Sequence, residues 1–142
     1  MNPHLRRTLS DDPQFTELKS QLDALLEVLN GENHSFFSPL NHIEVPIHAV
    51  VASLDVNPVG IGALRPINDQ EIELKRMFVL ESARGQGVGE AIVRELVAWA
   101  TGLGFQSIVL ETSRRLESAV RLYERSGFVR IPNYGAYVGL ED

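Results

Sequence analysis

A glycine-rich segment at residues 84–89 (RGQGVG) constrains the chain more than any other. The preceding residues 71–80 form a short apolar-rich run that predicts a strand, and the apolar residues from Val88 to Leu103 recur at helical spacing. The segment therefore joins a strand to the start of a helix, where several backbone N–H groups lack partners and the helix dipole is positive. Since glycines let a bulky anion approach the backbone, this turn predicts a site for phosphate or pyrophosphate.

Two other kinds of phosphate-binding loop fit the segment poorly. A Walker loop needs a lysine followed by Ser or Thr after its last glycine, whereas Glu90 follows Gly89 here. A dinucleotide-binding fingerprint needs a different glycine spacing and an acidic residue at the end of the next strand. Glu111 does end the next predicted strand, but three strands are predicted before the strand that enters the loop, which is not how that fold begins. The sequence therefore disfavours nucleotide hydrolysis and dinucleotide redox chemistry.

Composition limits the class of protein. The 142 residues fit one domain, and 44% hydrophobic residues suffice for a packed core. The formal net charge of −6 disfavours nucleic acid as the main partner, because phosphate backbones favour a basic face. The sequence contains no cysteine, which excludes disulfides, thiolate metal ligands and cysteine nucleophiles.

The sequence shows neither a membrane signal nor a metal motif. Residues 1–10 lack the apolar region of a signal peptide, and no apolar run reaches the length of a membrane span. The expected location is therefore the cytoplasm, with no membrane partner. The histidines show no metal-ligand spacing, so no metal is expected.

The remaining patterns predict a mixed α+β domain. Asp12 and Pro13 are typical of a helix start, and the apolar stripe that follows ends near Asn30. Further predicted elements are strands at 5–10, 45–54, 59–64, 71–80, 106–112 and 128–131, and helices at 88–103 and 117–126. The early strands predict an antiparallel meander, and the strand–helix–strand unit around the glycine segment predicts a crossover between parallel strands. Residues 32–43 have no clear period, and they fit either core packing or a flap over a substrate.

Three segments form a recognisable set: ELKRMFV running into RGQGVGE (73–79 and 84–90), LET (110–112) and AVRLYERSGF (119–128). Together they resemble the GCN5-related N-acetyltransferase (GNAT) family, and NYG at 133–135 with Tyr137 resembles a group of small bacterial acetyltransferases. The resemblance implies a single N-acetyltransferase domain over residues 1–142. Its central sheet is expected to be mixed, mostly antiparallel and flanked by helices, with strands splayed at an acetyl-CoA site.

The resemblance implies that acetyl-CoA is the cosubstrate. Backbone groups of Met77, Phe78 and Val79 are expected to pair with the pantetheine arm, and an N–H near Phe78 or Val79 to polarise the thioester carbonyl. The residues expected around the pyrophosphate are Arg84, Gly85, Gln86, Gly87, Val88, Gly89 and Glu90. Leu116 departs from the Asn or Gln that many relatives carry, so no contact with the arm is transferred to it.

Acetylation of an amine also needs proton transfer, because an alkylamine is protonated near pH 7. Glu73 matches the family's base position, and Glu111 on the adjacent predicted strand is the alternative. Either carboxylate could instead pair with Lys75 or an arginine. Tyr123 matches the tyrosine that protonates the departing thiolate, although a core aromatic also fits its spacing.

The acceptor implied by the resemblance is a primary amine of a small molecule. Residues expected near it are Phe36, Phe37, Asn41, Glu111 and Tyr134. Two alternatives stay open: acetylation of a protein lysine or N-terminus, and a non-catalytic acyl-CoA-binding module. A homodimer is compatible with edge strands in such a fold, and no nucleic acid partner is expected.

Overall fold

The described residues form five strands, three α-helices and one short 3-10 helix. The computed structural model describes residues 2–30, 45–111 and 117–129. Its elements in chain order are β1 (His4–Leu9), α1 (Pro13–Asn30), β2 (His48–Leu54), β3 (Asn57–Pro66), β4 (Glu71–Val79), a short 3-10 helix (Glu81–Ala83), α2 (Val88–Gly102), β5 (Ser107–Leu110) and α3 (Glu117–Arg125).

The five strands form one sheet in the order β1-β2-β3-β4-β5. β1 to β4 pair antiparallel, whereas β4 and β5 pair parallel across the α2 crossover. The predicted meander and parallel unit are therefore confirmed, as is the α+β fold class. The strand predicted at 128–131 is not seen at Phe128 and Val129, which continue from the turn after α3, and its remainder lies outside the described residues.

Asp12 starts α1 in the predicted way. Its Oδ1 accepts hydrogen bonds from the backbone N–H groups of Gln14 (2.9 Å) and Phe15 (3.4 Å), which have no partner within the helix. The same carboxylate is held from β1 by Arg6, whose two guanidinium nitrogens lie 2.8 and 3.1 Å from its oxygens. The bond from Arg6 lowers the pKa of Asp12 to about 2 from an ordinary 3.8.

Acid should therefore weaken the folded state through Asp12. The carboxylate contributes stability above pH 3.8, and that contribution is lost as the pH falls through about 2. Because Arg6 is 40% exposed and water screens the pair, the contribution to the unfolding free energy should be about 1 kcal/mol or less. Asp12→Asn keeps a cap of similar quality but cannot titrate. The free energy of urea unfolding should therefore fall less between pH 4 and pH 2 in this variant than in the wild type. Equal slopes in both proteins would contradict the assignment.

Two apolar layers cover the two faces of the sheet. The α1 face is defined by Phe15 and Leu18 of the helix, packed on Ala49, Val51, Ile61 and Ala63. The α2 face has the larger cluster, which joins strand residues such as Leu64 and Ile72 to Ile92 and Leu96 of α2. Each layer follows from the alternation of strand side chains between faces.

Gly60 and Gly62 of β3 let α2 approach the sheet closely. A Cβ at Gly62 would lie 2.8 Å from Cδ1 of Leu96 and 2.8 Å from the sulfur of Met77. A Cβ at Gly60 would lie 2.8 Å from Ile92 Cδ1. These two glycines therefore mark a close contact between β3 and α2.

Gly62→Ala should therefore lower the free energy of unfolding by about 1–3 kcal/mol, because the added methyl overpacks the interface. The matched control is Gly102→Ala at the end of α2. A Cβ there meets nothing within 4 Å, so the control should be neutral or slightly stabilising. Chemical denaturation measures both, and equal stabilities would contradict the packing account.

A bulge in β4 changes which face its side chains occupy. Ile61 is opposite Phe78, but Ala63 is opposite Lys75, so β4 has one extra residue between these pairs. Arg76 lies in this bulge with a positive φ of 59°. Consequently Ile72 and Leu74 pack on the α2 face before the bulge, and Met77 and Val79 do so after it, while Phe78 packs on the α1 face.

Candidate active site

The glycine segment opens between β4 and α2 through three exposed backbone positions. After the 3-10 helix, Arg84 is extended, and Gly85 and Gly87 both have a φ of 80°, a left-handed conformation that favours glycine. A Cβ at either glycine would meet nothing within 4 Å. The loop therefore presents bare backbone to open space, as an approaching anion requires.

Gly87 is also the N-cap of α2, and no side chain caps this end of the helix. The helical ladder begins with the bond from Ala91 N to the Gly87 carbonyl at 3.0 Å. The N–H groups of Val88, Gly89 and Glu90 precede that bond and have no acceptor within the helix. These groups and the positive end of the dipole fit a pyrophosphate.

The other members of the predicted pyrophosphate set have additional contacts. A Cβ at Gly89 would lie 3.1 Å from Leu122 of α3, so this glycine also permits close helix packing. Arg84 is exposed, and its Nε donates a 3.3 Å hydrogen bond to the Val79 carbonyl. The Glu90 carboxylate lies 3.5 Å from Arg125 Nε, which turns its side chain towards α3. Gln86 is exposed in the loop.

β4 extends beyond its pairing with β5. The register pairs Glu71 to Leu74 with Ser107 to Leu110, and within the described residues no strand pairs with β4 on that side from Lys75 to Val79. A peptide-like ligand that adds to this side of β4 would pair with the backbone of Met77, Phe78 and Val79. Because the glycine loop follows only five residues after Val79, this part of β4 and the anion site are adjacent along the chain.

Glu73 is buried in the middle of the sheet, on the α1 face. Its side chain is 2% exposed, and its Oε1 lies 3.1 Å from Arg65 Nη2 and 3.8 Å from Lys75 Nζ. The pairing with a lysine and an arginine that the sequence left open is therefore present. Sequence reasoning missed Arg65, since only the β3–β4 register places it opposite Glu73.

Glu111 shares this face with Glu73. Leu110 is level with Leu74, and both pack on the α2 face, so Lys75 and Glu111 follow them onto the α1 face. Burial lowers the pKa of Lys75, while the charges of Glu73 and Glu111 act in the opposite direction. The structure thus groups both candidate bases around one buried lysine. We call Arg65, Glu73, Lys75 and Glu111 the charged cluster.

Tyr123 is 7% exposed, in the same apolar cluster as Ala83 and Val88, which flank the glycine loop. Its ring meets Phe128 edge-to-face, with centroids 5.9 Å apart. Burial raises the pKa of the Tyr123 phenol, so the hydroxyl stays protonated at neutral pH. The side chain packs as a core aromatic, which does not prevent its hydroxyl from serving as a donor.

Phe36, Phe37, Asn41 and Tyr134 lie outside the described residues, so Glu111 alone represents the predicted acceptor set. Within 2–30, 45–111 and 117–129, no three potential metal-ligating side chains come together. No helix of those ranges has the length and apolar character needed to cross a bilayer.

The comparison with protein families agrees with this geometry. The model of the acetyltransferase (GNAT) family matches residues 6–128. Because this match spans most of the chain, the chain belongs to the GNAT family, whose cosubstrate is acetyl-CoA.

Individual relatives found by sequence comparison are also N-acetyltransferases. The uncharacterized N-acetyltransferase YjgM of Escherichia coli K12 is 28% identical over 126 residues, which cover 87% of this chain and 68% of that protein. N-acetyltransferase 8F1 of Mus musculus is 35% identical over 81 residues, which cover 54% of this chain and 36% of that protein. The chain therefore matches about two thirds of the bacterial relative and about a third of the mouse relative.

A solved structure from Klebsiella pneumoniae, assigned to the acyl-CoA N-acyltransferases, has the same fold. Its TM-score is 0.80 at 24% identity, and the superposition covers 96% of this chain and 89% of that one. The fold expected from the sequence is thereby confirmed, while the site residues remain predictions.

Proposed function

We propose that residues 1–142 form one N-acetyltransferase domain that transfers an acetyl group from acetyl-CoA directly to a primary amine of a small molecule. The observation that carries the proposal is the open, left-handed glycine loop that follows the part of β4 beyond its described pairing with β5. The loop supplies N–H groups for a pyrophosphate, and this part of β4 supplies backbone groups for a pantetheine arm. The pantetheine arm and the pyrophosphate of one acetyl-CoA would therefore bind to two successive segments of the chain, β4 and the glycine loop.

In this proposal the thioester carbonyl is polarised by a backbone N–H near Phe78 or Val79. The bulge at Arg76 supports this role, because it shifts the β3–β4 register directly before these residues. A backbone donor fixed before the reaction stabilises the oxyanion without reorganisation. The amine nitrogen bonds to the acetyl carbon, and the carbon–sulfur bond then breaks.

The amine gives up two protons during this sequence. The first must leave before attack, and we assign it to Glu73, with Glu111 as the alternative on the same face. The second leaves as the amide forms, and one proton must reach the CoA sulfur. We assign the donor at sulfur to Tyr123, whose hydroxyl is protonated at neutral pH and can therefore donate.

The charged cluster supplies the carboxylates that an amine acceptor needs. Glu73 and Glu111 face the α1 side of the described sheet, where Arg65 and Lys75 balance their charge. The attraction of a cationic amine therefore rests on the net charge of the chain, −6, and one of the two carboxylates then accepts its proton. A small acceptor is proposed because these groups are buried or half-buried rather than presented on an open surface.

The acceptor class can be tested by comparing kcat/KM for spermidine, kanamycin and L-lysine methyl ester with that for lysine-containing and free-N-terminal peptides. CoA release measures turnover, and acetyl-CoA binding is followed separately by calorimetry. A higher kcat/KM for a small amine supports the proposal. A preference for peptides would move the assignment to protein acetylation, and binding without turnover would favour a non-catalytic acyl-CoA-binding module.

Glu73→Gln should lower kcat/KM at pH 7 by about tenfold or more, since the acceptor then has no base at that position. The deficit should shrink as the pH approaches the acceptor's own pKa, where solvent removes the proton. Glu111→Gln is the matched comparison and should have the smaller effect. A larger loss in Glu111→Gln would assign the base to Glu111.

A further inference from the structure

Arg76 adopts a backbone conformation that long side chains rarely take. Its φ of 59° lies in the left-handed region, a feature shared among the described non-glycine residues only with Asp55 in the β2–β3 turn. Such a conformation costs about 1–2 kcal/mol and persists when surrounding contacts hold it. At Arg76 it forms the bulge of β4, directly before Met77, Phe78 and Val79.

The Arg76 side chain extends to α1. Its Nη1 lies 2.7 Å from Oδ1 of Asp23, a residue 53 positions earlier in the chain, and the side chain is 5% exposed. The other oxygen of Asp23 lies 3.1 Å from Lys19, whose side chain is 30% exposed and belongs to the same helix. The Asp23 carboxylate thus forms ion pairs with two side chains: the buried Arg76 of β4 and the more exposed Lys19 of α1.

We propose that Arg76 and Asp23 form a latch that fixes the bulge of β4 relative to α1. The thioester is proposed to bind at the backbone of residues 77–79. The latch holds this backbone in a fixed position relative to the α1 face, from which we propose that the acceptor arrives. Both are positioning residues that act through the backbone. The proposal rests on the proposed function for its catalytic consequence, but the mechanical coupling can be measured without turnover.

The direct test is backbone hydrogen exchange of the protein without ligand. Asp23→Asn should raise exchange about tenfold or more at those amides of residues 77–79 that pair with β3, because a charge-assisted bond is lost. Exchange at residues 72–74 should stay unchanged. Lys19→Ala is the matched control, since it removes the other partner of the same carboxylate and should leave residues 77–79 as in the wild type. Unchanged exchange in Asp23→Asn, or an equal rise in Lys19→Ala, would overturn the latch.

The catalytic consequence is tested with Arg76→Gly, which keeps the left-handed backbone accessible and removes only the side chain. We expect kcat with spermidine or L-lysine methyl ester to fall about tenfold or more, because displaced reacting groups lose alignment. The Kd for CoA should rise by a smaller factor than kcat falls, because the glycine loop at the pyrophosphate is unchanged, and Arg76→Lys should recover part of kcat. Normal kcat in Arg76→Gly would refute the positioning role. A wild-type protein that acetylates no amine would refute the proposed function instead. Hydrogen exchange would still show whether the Arg76–Asp23 latch holds residues 77–79.

Discussion

Tyr123→Phe should lower kcat by about 100-fold or more at neutral pH, because loss of a positioned general acid typically costs two to four orders of magnitude. Only the hydroxyl is removed, and the ring can still fill its place beside Phe128 in the core. The free energy of unfolding should therefore change by about 1 kcal/mol or less. The Kd for acetyl-CoA should be nearly unchanged, so the loss appears in turnover rather than binding.

Phe128→Leu is the matched control for this prediction. It removes the edge-to-face contact with Tyr123 and should reduce stability by about 1 kcal/mol while retaining most turnover. Steady-state kinetics and urea unfolding of the two variants separate the two roles. Near-normal kcat in Tyr123→Phe would leave the residue as a core aromatic only.

Gly87→Ala should raise the Kd for CoA by about 100-fold, which corresponds to about 3 kcal/mol. Gly87 has a φ of 80°, and the space in front of it is open, so the added methyl strains the backbone without meeting protein atoms. The strained turn and its methyl displace the pyrophosphate from the N–H groups at the start of α2. Loss of two charge-assisted hydrogen bonds accounts for the magnitude.

Calorimetric titration of CoA into the folded variant measures this effect. Gly102→Ala at the opposite end of α2 is the control, because its Cβ also meets open space and its φ is not positive. The control should bind CoA as the wild type does. Equal Kd values in Gly87→Ala and the wild type would show that the loop does not hold the pyrophosphate.

The glycine turn, where we propose that acetyl-CoA binds, could be predicted from sequence because its signals are local. Residues 84–90 combine glycine spacing with a strand before and an apolar helix after, and the structure has a turn with left-handed glycines at that point. The parallel pairing of β4 with β5 also followed from local order, since a strand, a helix and a strand usually form a right-handed crossover. The cap at Asp12 had the same local character.

The surroundings of Glu73 could not be predicted because they depend on strand register. Arg65 reaches Glu73 only through the β3–β4 pairing, and Glu111 comes level with Lys75 only through the β4–β5 pairing. The bulge at Arg76 carries no signal in the run ELKRMFV, since arginine has no preference for a left-handed conformation. The strand expected from Phe128 failed at its first residues because apolar character alone does not provide a pairing partner.

The most direct test of the central claim is quantitative acetyl transfer by the wild-type protein. Purified protein is incubated with acetyl-CoA and spermidine, kanamycin, L-lysine methyl ester or lysine-containing and free-N-terminal peptides. CoA thiol and acetylated amine are then measured together. At least one amine should gain an acetyl group in equal amount to the CoA released, and Tyr123→Phe should nearly abolish both. Tight acetyl-CoA binding with no acetylated product from any of these amines would contradict it.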